Sequence, residues 1–313
     1  MNTGMTIDGH DTYATWGVRL LQGSLGSVVC WPSLKEASVP VNNWHEEGGI
    51  EADLSAPKLD TRNVTLNLST DGNYSRYKRF ISALQDVDYH AVYFGAVDKS
   101  MRLRLVRWGG YDYGKGLGFV SVTLADDFPL DGYTYTVPRV LEGSLPYTLP
   151  FILGNRVIAD GTYTLDGRPM DYYGVKVLVG TESSLWTEGD PRLPLVRNLP
   201  SLQGAEYDTS AVIHNEAPQV RMVCLLRADT PAQMWAQWNA LLYDLTLPYS
   251  RKFGGSTIEG ERKFFYKNCS VQEFAIDDLQ GAWIKFTITM QLLDPLPVAA
   301  GDGLPYILPF ILG

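Results

Sequence analysis

The chain has 313 residues, 45% of them apolar and 19% charged, with a formal net charge of −9. These proportions exclude a disordered chain and give room for about two domains with buried cores. The acidic balance excludes a surface that grips nucleic acid through clustered Lys and Arg, and no apolar run approaches the roughly 20 residues that span a bilayer.

In chain order, the N-terminal MNTGMTIDGHDTYATWG has neither the basic start nor the apolar centre of a secretory signal. Asp8-Gly9 predicts a tight hairpin turn, because glycine takes positive φ at no steric cost. Residues 56–85 read as a small-Pro start, an alternating strand and one helix. In that helix Tyr77, Phe80, Ile81 and Leu84 fall at three- and four-residue steps, a single apolar stripe. RLRLVRW (102–108) and FVSVTLADDF (119–128) alternate with period two, as strands do. Between them Gly114-Lys115-Gly116-Leu117-Gly118 reads as a glycine-rich hairpin, since a phosphate loop would stand between a strand and a helix. The first half closes on LPYTLPFILG (145–154).

The second half repeats this order. TLDGRPMDYYGVKVLVGT (164–181) matches TIDGHDTYATWGVRLLQGS (6–24) in its Asp-Gly turn, its aromatic-Gly-Val and the basic residue that follows. Residues 217–245 again give a small-Pro start, a strand and a helix, here with Trp235, Trp238, Leu241, Leu242 and Leu245 in the stripe. Thr230-Pro231 supplies an N-cap and a first-turn proline. KFFYKN (263–268) and WIKFTITMQLL (283–293) stand where the later strands of the first half stand, and LPYILPFILG (304–313) repeats the decapeptide with nine identities in ten. Such self-similarity in register reads as an internal duplication. The expected fold is mainly β with some α: two tandem β-sandwich or partial-barrel domains, residues 1–155 and 156–313, each with one packed α-helix.

Two prolines in each decapeptide fix φ and remove backbone donors, which excludes a helix or a central strand. These uncharged segments are expected to be docking arms, because free apolar segments are a solubility liability. Each arm either packs on its own repeat and closes the sandwich or crosses, the first to the second repeat and the second to the next chain. The anchors are Tyr147, Pro150, Phe151, Ile152 and Leu153 in the first copy and Tyr306, Pro309, Phe310, Ile311 and Leu312 in the second.

Catalytic chemistry finds no purchase. His45-Glu46-Glu47 lacks a second His at helical spacing; His10 sits beside a turn, with Arg168 in its place in the repeat; His90 and His214 stand alone. Asp126-Asp127 and Asp277-Asp278 have no further carboxylates at ligand spacing. Cys30, Cys224 and Cys269 are odd in number, without CxxC spacing, and read as free thiols. The sequons at Asn63, Asn67, Asn73 and Asn268 read as polar strand edges, and the aromatics as sheet and interface residues. The expectation is a chain with no enzymatic activity, no cofactor and no metal.

The opening I-D-G-x₆-W-G-V-x-L-x₂-G (Ile7 to Gly23), the strand–helix–strand body and the closing Leu-Pro-Tyr/Pro-Phe run resemble tail proteins of long-tailed bacteriophages, above all the N-terminal belt domain of distal tail proteins. The resemblance covers both repeats. It departs from the family in placing a second belt-like copy where a different, often sugar-binding-like domain would follow. It implies a structural virion protein, assembled in the host cytoplasm, that forms a ring at the distal tail or baseplate. That ring would join the tail tube to hub and fibres, with DNA passing through the lumen. Since one chain would supply two of six places, the expected ring is a homotrimer with pseudo-sixfold symmetry. Alternatives are a carbohydrate-binding or adhesion module of the tail tip, and a tail-tube or tail-terminator ring protein.

Overall fold

A computed structural model of the chain describes residues 4–21, 23–44, 47–86, 88–138, 162–193, 196–198, 200–201, 203–207, 212–255, 261–277 and 281–295. Both decapeptides, and with them all ten proposed anchors, lie outside these residues, as does His45.

The chain is mainly β, as expected, with two large curled sheets and, among the described residues, three further two-stranded ones. The first contains β1 (Met5–Ile7), β2 (His10–Asp11), β3 (Val18–Leu20), β4 (Arg62–Thr70), β5 (His90–Phe94), β6 (Lys99–Trp108), the short β7 (Asp112–Gly114) and β8 (Leu117–Asp126). Their order is β2-β1-β5-β6-β8-β4-β3, with β7 paired to β8. The second contains β9 (Tyr163–Leu165), β10 (Arg168–Pro169), β11 (Val175–Val177), β12 (Gln219–Ala228), β13 (Arg251–Gly255), β14 (Arg262–Asp277) and β15 (Gly281–Leu292), in the order β10-β9-β13-β14-β15-β12-β11. Strand for strand the two orders are the same, and every pairing is antiparallel.

Period-two patterning covers one face of each sheet. On β4 Val64, Leu66 and Leu68 are buried while Asn63, Thr65 and Asn67 face outward; on β12 the buried set is Val220, Met222, Cys224 and Leu226. A helix lies after β4 and after β12 in the chain. These are α3 (Tyr74–Gln85) and α5 (Pro231–Leu245); among the described residues three further α-helices, α1 (Thr12–Trp16), α2 (Leu25–Val29) and α4 (Thr181–Leu185), have five residues each. The short ones escape a periodicity search because five residues make little more than one turn. The expected stripe of α3 is buried in full, and its N-cap is Asn73, whose side chain accepts from the Ser75 and Arg76 amides. This corrects the reading of Asn73 as a strand edge. A side-chain oxygen that satisfies two orphan helix amides fixes its place at the cap. Thr230 caps α5 as expected, accepting from the Gln233 amide at 3.2 Å.

The two long helices differ in one respect. Four of twelve residues are buried in α3, nine of fifteen in α5. A helix buried on more than one side is covered by more than its own sheet, and what covers α5 comes from the other half. The buried apolar residues form one continuous cluster that runs from Met5 to Leu292.

Candidate functional site

The motif that carries the family resemblance serves folding. Asp8 and Gly9 have φ of 51° and 78°, Asp166 and Gly167 of 49° and 78°, so both dipeptides adopt the twisted turn that right-handed strands favour. Each aspartate then clasps the neighbouring strand. Asp8 Oδ1 accepts the Ala91 amide at 2.8 Å, and Asp166 Oδ1 accepts the Lys252 amide at 2.8 Å. The second carboxylate oxygen meets His90 Nδ1 at 2.7 Å in the first half and Arg251 at 3.2 Å in the second. His90, whose Nε2 lies 3.0 Å from the Leu84 carbonyl, is thus the counterpart of an arginine that holds a turn. Desolvation pushes the Asp8 carboxyl up, but the bonds from His90 and Ala91 together outweigh it and leave its pKa below the usual carboxylate value.

The aromatic-Gly-Val that follows is structural as well. Gly17 and Gly174 end their turns at φ 71° and 67°, and their carbonyls accept the Asp71 and Arg227 amides at 3.0 and 3.1 Å. The edges of both sheets are closed by hydroxyls. In the first half the Asn67 amide donates to Ser24 Oγ at 2.9 Å and Ser27 Oγ donates to the Thr65 carbonyl at 3.2 Å. In the second, Thr181 and Ser184 accept the Val223 and Arg221 amides at 3.0 and 2.7 Å. Backbone groups that could recruit another strand are thereby occupied.

A cluster of four large aromatic side chains lies at the seam between the halves. Residues 30–34 leave α2 and cross to the second sheet, where the Trp31 ring stands 4.0 Å from Trp238, 5.6 Å from Phe286 and 6.1 Å from Tyr266. Polar groups fix the crossing. Trp238 Nε1 donates to the Val29 carbonyl at 3.0 Å, the Tyr266 hydroxyl to the Pro32 carbonyl at 2.7 Å and the Leu34 amide to the Lys267 carbonyl at 2.8 Å. The last contact has a simple cause. β13 pairs with β14 only over Arg262–Phe264, so among the described residues β14 beyond that point has no strand on that side, and the crossing segment supplies backbone there.

Three further ties extend the seam. The buried Arg192 guanidinium is held by the carbonyls of Trp44, Glu47 and Gly49 and by Asn43 Oδ1. The Ile50 amide donates to the Leu293 carbonyl at 2.8 Å. Asp244 of α5 accepts from Tyr135 at 3.1 Å, from Arg168 at 3.3 Å and from the Tyr173 hydroxyl. Burial, reinforced by the Asp244 charge, pushes both tyrosines far above their ordinary pKa.

A cavity of about 450 Å³ opens beside the seam, lined by Trp31, Arg62, Lys99, Asp126, Leu130 and Leu242 among others. Arg62 pairs with Asp126 at 2.7 Å, and the Lys99 ammonium sits 4.0 Å from the Trp235 ring centroid. Burial pulls the Lys99 amine down to about 7; nearby Arg62 adds to this and Asp126 opposes it. The Asp126-Asp127 pair is thus consumed by arginines, since Asp127 is bound by Arg104 at 2.7 Å. The expected glycine-rich hairpin is present as β7 and β8, joined at Lys115-Gly116 with φ of 53° and 78°. Among the described residues no group of three or more His, Cys, Asp or Glu side chains is gathered as a metal ion would require. Cys30 is half-buried, and Cys224 and Cys269 are buried thiols whose pKa burial raises.

No protein family matches the chain, and no curated protein matches it. Among solved structures it is similar to a crystal structure of the SPP1 Dit (gp 19.1) protein, described as a paradigm of the hub adsorption apparatus in phages that infect Gram-positive bacteria. The two share 10% identity over 92% of this chain and 97% of that one, with a TM-score of 0.28. A likeness that slight carries no argument about this chain.

Proposed function

We propose that the chain is a non-enzymatic structural protein of a long-tailed bacteriophage tail, in which three copies close a ring at the distal end around the DNA channel, between tail tube and hub. The observation that carries this reading is the repeated architecture. One chain builds the same seven-strand order twice, with the same Asp-Gly clasp and the same hydroxyl-closed edges, so it can occupy two equivalent places in a closed ring. The sequence resemblance to belt domains points the same way, with residues 1–155 and 156–313 as the two belt-like units. The mild acidity of the chain suits a passage that nucleic acid must not adhere to. The decapeptides act as arms in this reading, anchored through Tyr147, Pro150, Phe151, Ile152 and Leu153 and through Tyr306, Pro309, Phe310, Ile311 and Leu312.

Averaged images of tails labelled on this chain test the proposal. Three labels around the distal end are expected; six chains in the ring, or a label elsewhere, would overturn it. A chain truncated after Gly303 tests the arms: it should melt as the intact chain does, yet fail to enter rings. An intact ring of truncated chains would exclude a bridging role for the second decapeptide.

A further inference from the structure

The seam inside the chain has a donor and an acceptor. Residues 30–34 are the donor, and the side of β14 beyond its pairing with β13 is the acceptor. Since the two sheets have the same strand order, each part has a counterpart in the other half, and among the described residues neither counterpart takes part in such a crossing, although the Asp190 carbonyl accepts the Glu216 amide at 2.9 Å. In the first sheet β5 pairs with β6 only as far as Leu103. Residues Arg104–Trp108 have no strand on that side among the described residues, and Val106 and Trp108 there are 45% and 42% exposed. In the second half the clasping Thr181 and Ser184 correspond to Ser24 and Ser27. That alignment sets Trp186 in the place of Val29 and Glu188 in the place of Trp31. Val29 is fully buried at the seam, whereas Trp186 is 55% exposed.

The charges of the two counterpart faces are opposite. The open side of β6 carries Arg107, and the segment after α4 carries Glu188 and Asp190. All three are exposed, and none has an ion-pair partner among the described residues.

We propose that these faces meet between copies of the chain: residues 186–190 of one copy lie along Arg104–Trp108 of the next, at the place equivalent to the one that residues 30–34 occupy within a chain but through charged rather than aromatic side chains. Trp186 then covers Val106 and Trp108, and Glu188 and Asp190 face Arg107. The contact is head-to-tail, since it joins the second half of one chain to the first half of another, and such contacts close into rings when the rotation is right. The proposal rests on the ring reading above and adds the residues that make the joint.

Charge reversal tests it on the full chain, with association followed by native mass spectrometry from micromolar to about 1 mM, the range of weak contacts. Arg107→Glu and Glu188→Arg should each weaken association about tenfold or more, and the double reversal should recover most of the loss. Because both positions are exposed, circular dichroism should show unchanged folding. Association that neither reversal alters, reversals that the double variant does not rescue, or a wild-type chain that shows no self-association would overturn this joint. An image of the assembled ring separates the two levels: a ring joined through other faces fails the joint alone, and the absence of any ring fails the reading beneath it.

Discussion

Removing the Trp31 side chain should destabilise both halves of the molecule at once. Trp31 is 4% exposed and lies against Trp238, Phe286 and Tyr266, all of the second half. A buried Trp withdraws about 150–250 Å² from water, which at about 25 cal/mol per Å² gives about 4–6 kcal/mol as an upper figure. Large-to-small substitutions of buried aromatics cost about 3–5 kcal/mol. Among the described residues the Trp31 indole N–H has no hydrogen-bond partner, so no such contact adds to that figure. Trp31→Ala should therefore lower the unfolding free energy by about 3–5 kcal/mol. Equilibrium unfolding in urea, followed by far-UV circular dichroism and by tryptophan fluorescence, should show one transition moved as a whole. In a cycle with Trp238→Ala the two losses should fall short of adding, since contacting residues couple by about 0.5–3 kcal/mol. A loss below about 1 kcal/mol, under the range for a buried aromatic, or two transitions of which only one moves, would refute the shared core.

Gly174→Ala should cost at least the roughly 1–2 kcal/mol of a side chain in left-handed backbone. Its Cβ would also stand 2.8 Å from Gln237 Nε2, and thermal unfolding measures the loss. Asp8→Asn should matter above the ordinary carboxylate range and not below it. The folded-state pKa of Asp8 is depressed, so the stability it lends is present above its ordinary value of 3.8 and is lost as the pH falls through the folded value; wild type and variant should converge in acid. Lys99→Met should stabilise most below about pH 7, where wild type must carry a charged amine in the seam cavity, and the gain should fade as the pH rises from about 7 towards the ordinary lysine value of 10.5. A pH-independent difference between Lys99→Met and wild type would show that the amine is solvated.

Local features were legible wherever one segment determines itself. The stripes of α3 and α5, the Thr230 cap and the Asp-Gly turns follow from spacing and φ preference, and the repetition of sheet order follows from the repeated motifs. The seam was not legible, because Trp31 sits in CWPSLKEASVP, a stretch with no period to declare which way its side chains face. Asn73 was misread because a sequon names a residue without saying whether it ends a strand or begins a helix. One signal for the seam was present in the composition of α5. Aligned at their caps, α3 has Lys78, Ile81 and Gln85 where α5 has Trp235, Trp238 and Leu242. The sheet beneath one side of α5 cannot account for so many large apolar residues, and the surplus called for a second partner.

That surplus also explains why the two halves cannot be joined to other chains as they are joined to each other. Trp235 donates to the Val97 carbonyl at 2.8 Å and Trp238 stacks on Trp31, so the apolar face of α5 is consumed within its own chain. The matching positions on α3, Lys78 and Gln85, are exposed and polar, and Glu188 stands where a second Trp31 would be needed. An apolar joint of this kind must form during folding, because each side exposed alone would be a large sticky patch. A joint built from Arg107, Glu188 and Asp190 can instead stay in water until a partner arrives, since exposed ion pairs contribute only about 0.2–1 kcal/mol each and their separation costs little. In the proposed ring, three tryptophan-lined joints closed at folding would alternate with three charged joints closed at assembly. The divergence between the two copies at Trp31/Glu188 and Trp235/Lys78 is what would separate these steps in time.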